Sequence, residues 1–369
     1  MKSPGMRTSG ERRTALKHLI ETDGVKRVNP PMLLTASQYF DLAGEEFGRR
    51  LLMTIANDGI EYCLRPDFTL PIVASYLQQG LAGAPVAYSY LGSVFRQRTK
   101  GPAEFEQAGL ELLGQTDAEE ALDEVLTFAR RALGIYRITE PEIRLGGVGL
   151  FEAILANAEM PDVWRPRIRT RFGHPEAMTR LLDRLADPYM NNGATGAKEP
   201  IDRESLLEFV TEQMFAGGFN PSDGRHPEEV AERYHEKQAL AAAHVPTPTI
   251  DLLRLYLSIE GSASVALDEI EALAAVYKFD LSKQLSALRH HNATLRALTP
   301  QSTVNFDASF SPRLDYYTGI VFEMLGDEGA ILASGGQYDR LLQRLGASVP
   351  VTAAGCAVWV DRLEWETTL

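Results

Sequence analysis

The stretch Arg313-Leu314-Asp315-Tyr316-Tyr317-Thr318-Gly319 is the most informative part of this 369-residue chain, and Gly335-Gly336-Gln337-Tyr338-Asp339-Arg340 follows it. Alone, such a run is more often an aromatic-rich strand edge than a binding site, because aromatic residues are enriched in strands. Two further segments favour a site. One comprises Leu64-Arg65-Pro66-Asp67-Phe68-Thr69, Phe95-Arg96 and Gln107-Ala108-Gly109-Leu110-Glu111, and the other is Gly355-Cys356-Ala357-Val358-Trp359-Val360-Asp361-Arg362-Leu363.

The composition is typical of a folded globular protein, with 44% hydrophobic and 24% charged residues. No run of about 18 apolar residues is present, so the sequence predicts no membrane partner. The first 27 residues are polar and basic, and we expect no secretory signal there. The two cysteines, Cys63 and Cys356, lie in apolar segments, which predicts a reduced, cytoplasmic protein without a disulfide framework.

The formal net charge of -13 bears on the binding partners. Nucleic-acid binders usually carry a basic patch, because phosphate contacts supply most of their affinity. We therefore expect no nucleic-acid partner. The seven histidines are scattered, and the adjacent pair His290-His291 is expected to point to different faces of a helix. The sequence thus predicts no metal site and no cofactor.

The pattern of apolar residues predicts an α+β fold. Segments 53–56 and 60–64 flank the turn Asn57-Asp58-Gly59 as a hairpin, and Val86–Phe95 is expected to pair with Phe105–Leu113 as antiparallel strands. Asp117 to Leu133 is predicted to be a helix that Asp117 caps. Residues 151–300 carry mostly helical stripes, and short strands return from Thr303. We predict a core formed by 1–150 and 301–369, split by a mostly helical insertion at 151–300.

The glycines of Gly146-Gly147-Val148-Gly149 suggest two interpretations, a dinucleotide-binding turn or a simple turn from strand to helix. The dinucleotide fingerprint needs a third glycine, and Glu152 stands in its place. The simple turn is favoured.

In their order and spacing, the segments quoted above resemble the catalytic core of histidyl-tRNA synthetase, a class II aminoacyl-tRNA synthetase, from about residue 30 onward. The resemblance implies an antiparallel sheet flanked by helices and a pocket for histidine. It places Asp67, Thr69 and Gln107 at the ammonium, Arg96 at the carboxylate, Glu111, Tyr316, Tyr317 and Tyr338 around the ring, and the Gly335-Gly336 backbone close to the ligand. The alternative interpretation of these residues needs no ligand: Glu111 and Arg96 form a buried ion pair, and the tyrosines are core residues.

The resemblance fails at the positions that handle ATP. Family enzymes have an arginine where Pro312 stands, a glycine at Arg313, a glutamate at Arg98, an arginine near Ala103 and a glycine at Trp359. At the pocket, they carry glutamate where this chain has Asp67. Arg96 and Arg362 are retained. Because losing one contact to a developing oxyanion costs about 3–4 kcal/mol of barrier, we expect intrinsic aminoacylation to be lost and no residue to be catalytic.

A synthetase-like core with these changes, which stops at Leu369 without an anticodon-binding domain, is similar to the regulatory subunits of ATP phosphoribosyltransferase. The resemblance implies a short-form catalytic subunit as partner, histidine as feedback effector in histidine biosynthesis, and a homodimer within a larger hetero-oligomer. Residues 25–31 loosely match the motif through which class II synthetases form dimers. Two alternatives stay open: a divergent synthetase core that forms histidyl adenylate, and an amino-acid-binding protein unconnected with histidine synthesis.

Overall fold

The structure is a computed structural model that describes residues 8–37, 39, 48–57, 59–98, 101–187, 203–216, 226–312 and 316–367. Arg313, Leu314 and Asp315 of the opening motif lie outside these residues, as do 188–202 and 217–225. No helix in the described ranges is long and apolar enough to span a membrane.

Twelve strands occur among the described residues, and nine of them form one sheet. The strands are β1 Val25–Arg27, β2 Leu33–Thr35, β3 Met53–Ile55, β4 Glu61–Leu64, β5 Val86–Phe95, β6 Glu104–Leu113, β7 Glu142–Gly147, β8 Glu260–Ser262, β9 Val304–Asp307, β10 Ile320–Leu325, β11 Ile331–Gln337 and β12 Ala353–Trp359. The large sheet has the order β1-β5-β6-β12-β11-β10-β7-β9-β8, and β2-β4-β3 forms a small sheet. All pairs are antiparallel except β1 with β5 and β7 with β9.

The described residues also contain thirteen helices. They are α1 Ser9–Ile20, α2 Thr69–Gln78, α3 Ala118–Ile135, α4 Val148–Asn157, α5 Arg165–Arg169, α6 Pro175–Ala186, α7 Arg203–Ala216, α8 Pro227–Ala242, α9 Thr247–Leu257, α10 Ala263–Tyr277, α11 Ser282–Leu298, α12 Asp339–Arg344 and α13 Val360–Glu366. The predicted α+β class, with its largely antiparallel sheet, is confirmed.

Local sequence explains the central elements. The side chain of Asp117 accepts hydrogen bonds from the backbone N–H groups of Glu119 and Glu120, at 2.9 and 3.0 Å, and so begins α3 as predicted. β5 and β6 pair along their whole length, as the alternation of their residues predicts. Gly146 and Gly147 end β7 and α4 begins at Val148, so a strand leads directly into a helix here, as the simple interpretation predicts.

Contacts within the chain divide it into two units, 1–153 with 258–369, and 154–257. The first contains both sheets. The second is helical in the described residues, with a small apolar cluster of Leu206, Val210 and Ala231. Helices α10 and α11, which the sequence pattern groups with the insertion, belong to the first unit, where α10 contacts β8 and β9. The division at 150 and 301 into a core and an insertion remains a proposal.

Candidate functional site

Strand register gathers the predicted polar residues on one face of the large sheet. Gln107 and Glu111 lie four residues apart on β6, so both side chains project to the same face. On the neighbouring strand β12, Gly355 lies opposite Glu111 and Trp359 lies opposite Gln107. A Cβ at Gly355 would overlap the Glu111 carboxyl group. Glycine at this position therefore leaves room for the Glu111 carboxyl group on this face of the sheet.

Glu111 is the centre of the site and is 1% exposed. The hydroxyl of Thr69, at the start of α2, donates a hydrogen bond of 2.6 Å to Oε1. The hydroxyl of Tyr338, just before α12, donates to Oε2. Burial raises the pKa of Glu111 from 4.5 to about 8, although both hydroxyl groups favour the ionised form. Near neutral pH this carboxyl group can therefore hold or release a proton.

Asp67 and Arg96 supply the other charges. The backbone N–H of Leu70 donates to Asp67 Oδ1 at 3.1 Å, at the N-terminus of α2. Burial raises the pKa of Asp67, and this N–H bond and the charge of Arg96 oppose the rise. Burial also lowers the pKa of Arg96 to about 10, while Asp67 acts in the opposite direction. A buried carboxyl group and a buried guanidinium thus lie close enough to act on each other electrostatically, and such a pair suits a ligand that carries both charges.

Three tyrosines form the apolar wall. The ring centroids of Tyr316 and Tyr317 are 5.1 Å apart, and those of Tyr316 and Tyr338 are 5.8 Å apart in an edge-to-face contact. All three residues are buried. Edge-to-face aromatic contacts of this kind hold ring orientations, and they would present the ring edges and hydroxyl groups to a flat ligand.

These side chains enclose a cavity of about 50 Å³, which is room for a few water molecules. Eight of the ten predicted site residues line it: Asp67, Thr69, Arg96, Gln107, Glu111, Tyr316, Tyr317 and Tyr338. Gly335 and Gly336 lie in β11 outside this lining. A Cβ on either glycine would overlap a backbone carbonyl of a neighbouring strand, so their bare backbones allow close strand packing.

The sequence analysis did not place five further lining residues at the site, namely Tyr90, Ser334, Gly355, Cys356 and Ala357. Tyr90 stacks on Phe68 with centroids 4.2 Å apart, and its hydroxyl donates to the carbonyl of Cys356 at 3.3 Å. Strand alternation alone puts Tyr90 on the face of Glu111, because Tyr90 pairs with Gly109. That signal was available in the sequence once β5 and β6 had been aligned.

Two of the positions that depart from the synthetase pattern, Trp359 and Arg98, make contacts within the chain. Trp359 lines the cavity, and the guanidinium of Arg362 lies 5.3 Å from its ring centroid and donates to the carbonyl of Ile331 at 2.6 Å. Arg98 forms an ion pair of 3.0 Å with Asp361. Arg98 and Arg362 are thus both bound to groups of the chain itself.

The adjacent histidines of α11 meet at one carboxylate. A nitrogen of His290 and one of His291 both reach the carboxylate of Asp123 on α3. His290 is exposed and His291 is buried, as expected for different faces of a helix, yet the two rings converge on the same group. Neighbouring positions on a helix diverge by only about 100°, and two imidazoles linked through different ring nitrogens can span that angle to reach one carboxylate.

Comparison with known proteins identifies the family of this chain. The sequence profile of the histidyl-tRNA synthetase family matches residues 4–172 and 230–363. The ATP phosphoribosyltransferase regulatory subunit of Agrobacterium fabrum is 36% identical over 345 residues, with 92% of each chain covered. That of Brucella ovis is 36% identical over 363 residues, with 95% of each chain covered.

The chain belongs to the ATP phosphoribosyltransferase regulatory subunit family.

Solved structures show the fold that this regulatory subunit family shares with the synthetases. An ATP phosphoribosyltransferase regulatory subunit/histidyl-tRNA synthetase from Bacillus halodurans superposes with a TM-score of 0.62 at 23% identity, covering 100% of this chain and 83% of that one. Histidyl-tRNA synthetase from Nostoc superposes with a TM-score of 0.59 at 15% identity, covering 96% and 70%. The family resemblance predicted from the motifs is confirmed.

Proposed function

We propose that this chain is a non-catalytic regulatory subunit that works with an ATP phosphoribosyltransferase catalytic subunit in the first step of histidine biosynthesis, and that its cavity senses histidine. The relatives that match almost the whole chain carry the regulatory-subunit name. The observation that carries the sensing role is the buried carboxyl of Glu111, held between two hydroxyl groups at the centre of the cavity. The groups that would recognise histidine are present, whereas the positions at which the synthetases activate histidine with ATP carry other residues.

Histidine suits the groups around the cavity. Asp67 and the amide of Gln107 can accept from its ammonium, and Arg96 can donate to its carboxylate. Glu111 can accept from one ring N–H, and the hydroxyl of Tyr338 can pair with the other ring nitrogen. A free histidine is larger than a space for a few waters, so side chains must rearrange when it binds. That rearrangement lowers the affinity but also gives binding a means of changing the protein's conformation.

The contacts of Trp359 and Arg362 support a role without chemistry. Amino-acid activation needs cations free to meet the phosphates of ATP. Here Arg362 is engaged with Trp359 and Ile331, and Arg98 with Asp361. We expect no histidine-dependent exchange of pyrophosphate into ATP by the purified chain. Exchange at a rate typical of synthetases would favour the alternative, an enzyme core that forms histidyl adenylate.

The small sheet supports a homodimer within the larger assembly. Its strands and their flanks carry large apolar side chains that are 42–68% exposed: Met32, Leu33, Met53, Ile55 and Ile60. Apolar patches of this kind mark surfaces that a partner covers. The patch is close in sequence to the predicted dimer motif at 25–31, whose first residues form β1.

The decisive experiment measures phosphoribosyl transfer to ATP by the short-form catalytic subunit, with and without this chain, over a histidine titration. The wild-type chain is expected to stimulate the catalytic subunit and to make it sensitive to histidine. Glu111→Gln is expected to weaken sensitivity at least tenfold, because glutamine cannot release a proton when histidine binds and so cannot become a charged acceptor for the ring N–H. Glu104→Gln, the same change at an exposed position of β6, should leave the midpoint unchanged. A wild-type chain that neither stimulates nor confers histidine sensitivity would refute the proposal.

A further inference from the structure

Away from the cavity, a second cluster of polar side chains joins α3 and α11. Asp123 Oδ2 lies 2.7 Å from His290 Nε2, and Asp123 Oδ1 lies 2.9 Å from His291 Nδ1. One such atom from each residue, a carboxylate oxygen or a ring nitrogen, lies within 4.8 Å of those of the other two. Three donors of these kinds, converging from two packed helices, are the ligand types that zinc and related metals use.

The burial of the three residues gives the cluster an inner and an outer side. His291 is fully buried, and its Nε2 has no hydrogen-bond partner in the described part of the chain. Its Nδ1 is therefore the nitrogen that engages the cluster. The side chain of His290 is 46% exposed and that of Asp123 is 28% exposed. An ion could enter from solvent on that side, and water could complete its coordination.

The surrounding charge also favours a cation. Asp117 and Glu119, at the start of α3, lie near enough to His290 to act on it electrostatically. The donors lie on two helices that pack on each other, because α3 contacts α11. Ligands on packed helices are held more precisely than ligands on loops.

We propose that Asp123, His290 and His291 form a binding site for one divalent transition-metal ion, with Zn²⁺ the best match to a donor set of two imidazoles and one carboxylate. The ion replaces the two histidine–aspartate hydrogen bonds with three metal–ligand bonds of about 2.0–2.2 Å. A fourth position faces solvent and takes water. Because the ligands come from α3 and α11, the bound ion cross-links these helices. The site is independent of histidine sensing in the cavity.

The rival interpretation is a hydrogen-bonded His–Asp–His contact that binds no metal, and titration with Zn²⁺ against a chromophoric chelator separates the two. The intact chain is expected to take up one Zn²⁺ with a micromolar or tighter dissociation constant. Asp123→Asn and His290→Gln should each weaken this binding at least tenfold. His18→Gln removes an exposed histidine on α1 and should have no effect. Absence of stoichiometric binding, or binding that both cluster variants retain, would overturn the site.

A second measurement on the wild-type chain covers the case in which a variant fails to fold. Co²⁺ in place of Zn²⁺ should give the intense visible absorption of a four-coordinate site, and one equivalent of Zn²⁺ should remove it. Zn²⁺ should also raise the melting temperature of the wild type, since a metal that binds the folded state stabilises it by mass action. A Co²⁺ spectrum of the hydrated ion alone, with no rise in melting temperature, would refute the site even if no variant could be prepared.

Discussion

Replacing Glu111 by glutamine should make the stability of the protein less dependent on pH. Glutamine has the shape of a protonated glutamate, so its carbonyl can still accept from one of the hydroxyl groups of Thr69 and Tyr338, and its amide can donate to the other oxygen. What the variant loses is the ability to release a proton. The comparison therefore isolates the energy of holding this carboxyl group uncharged inside the protein.

The pKa of Glu111 sets both the sign and the size of this change in stability with pH. Burial raises the pKa of Glu111 in the folded protein to about 8, from an ordinary value of 4.5. Between these two pH values the unfolded chain has lost this proton and the folded protein keeps it, so the free energy of unfolding falls as pH rises. One pKa unit corresponds to about 1.4 kcal/mol, and between pH 6 and 8 the wild type should lose about 2 kcal/mol from this one group.

Urea unfolding at a series of pH values measures this loss. Relative to the wild type, the free energy of unfolding of Glu111→Gln should rise by about 2 kcal/mol between pH 6 and 8. Asp67, whose pKa is also raised, contributes to both curves and largely cancels in the comparison. Glu104→Gln, on the exposed part of β6, serves as the control and should run parallel to the wild type. If the curve of Glu111→Gln also runs parallel, Glu111 is not held uncharged and the reasoning fails.

Two further changes test the packing and the assembly. Gly355→Ala should lower the free energy of unfolding by about 1–3 kcal/mol, because the new Cβ overlaps the Glu111 carboxyl group. Gly10→Ala serves as the control, because a Cβ added at Gly10 in α1 would lie 4.0 Å from its nearest neighbour, the hydroxyl oxygen of Thr8. It should be neutral or stabilising in the same denaturation assay. Equal effects of the two glycine substitutions would contradict the assigned packing. Ile55→Asp should convert a dimer to a monomer in sedimentation, whereas Val276→Asp, equally apolar and exposed on α10, should not. A wild-type monomer at micromolar concentration would exclude the homodimer.

Sequence patterns identified the elements whose signals are local. The pairing of β5 with β6, the cap of Asp117 on α3 and the hairpin of β3 with β4 all depend on residues a few positions apart. Their prediction needed only alternation, turn residues and capping chemistry. The assignment of α10 and α11 to the unit that contains the sheet needed more, because contacts with β8 and β9 place them there and helical periodicity does not reveal such contacts.

The sequence by itself determined which chemical groups are available to the site, an acid at 111, a cation at 96 and the tyrosines, and it has different residues at the positions where the resemblance to the synthetases predicts ATP contacts. Only the tertiary structure decided which of these groups meet and how readily they ionise. Thr69 and Tyr338, 42 and 227 residues away along the chain, converge on Glu111, and burial makes it a carboxyl group that titrates near neutral pH. Likewise Asp123 meets His291 across 168 residues. Strand register and helix packing bring these groups together, and the resulting desolvation sets their charge.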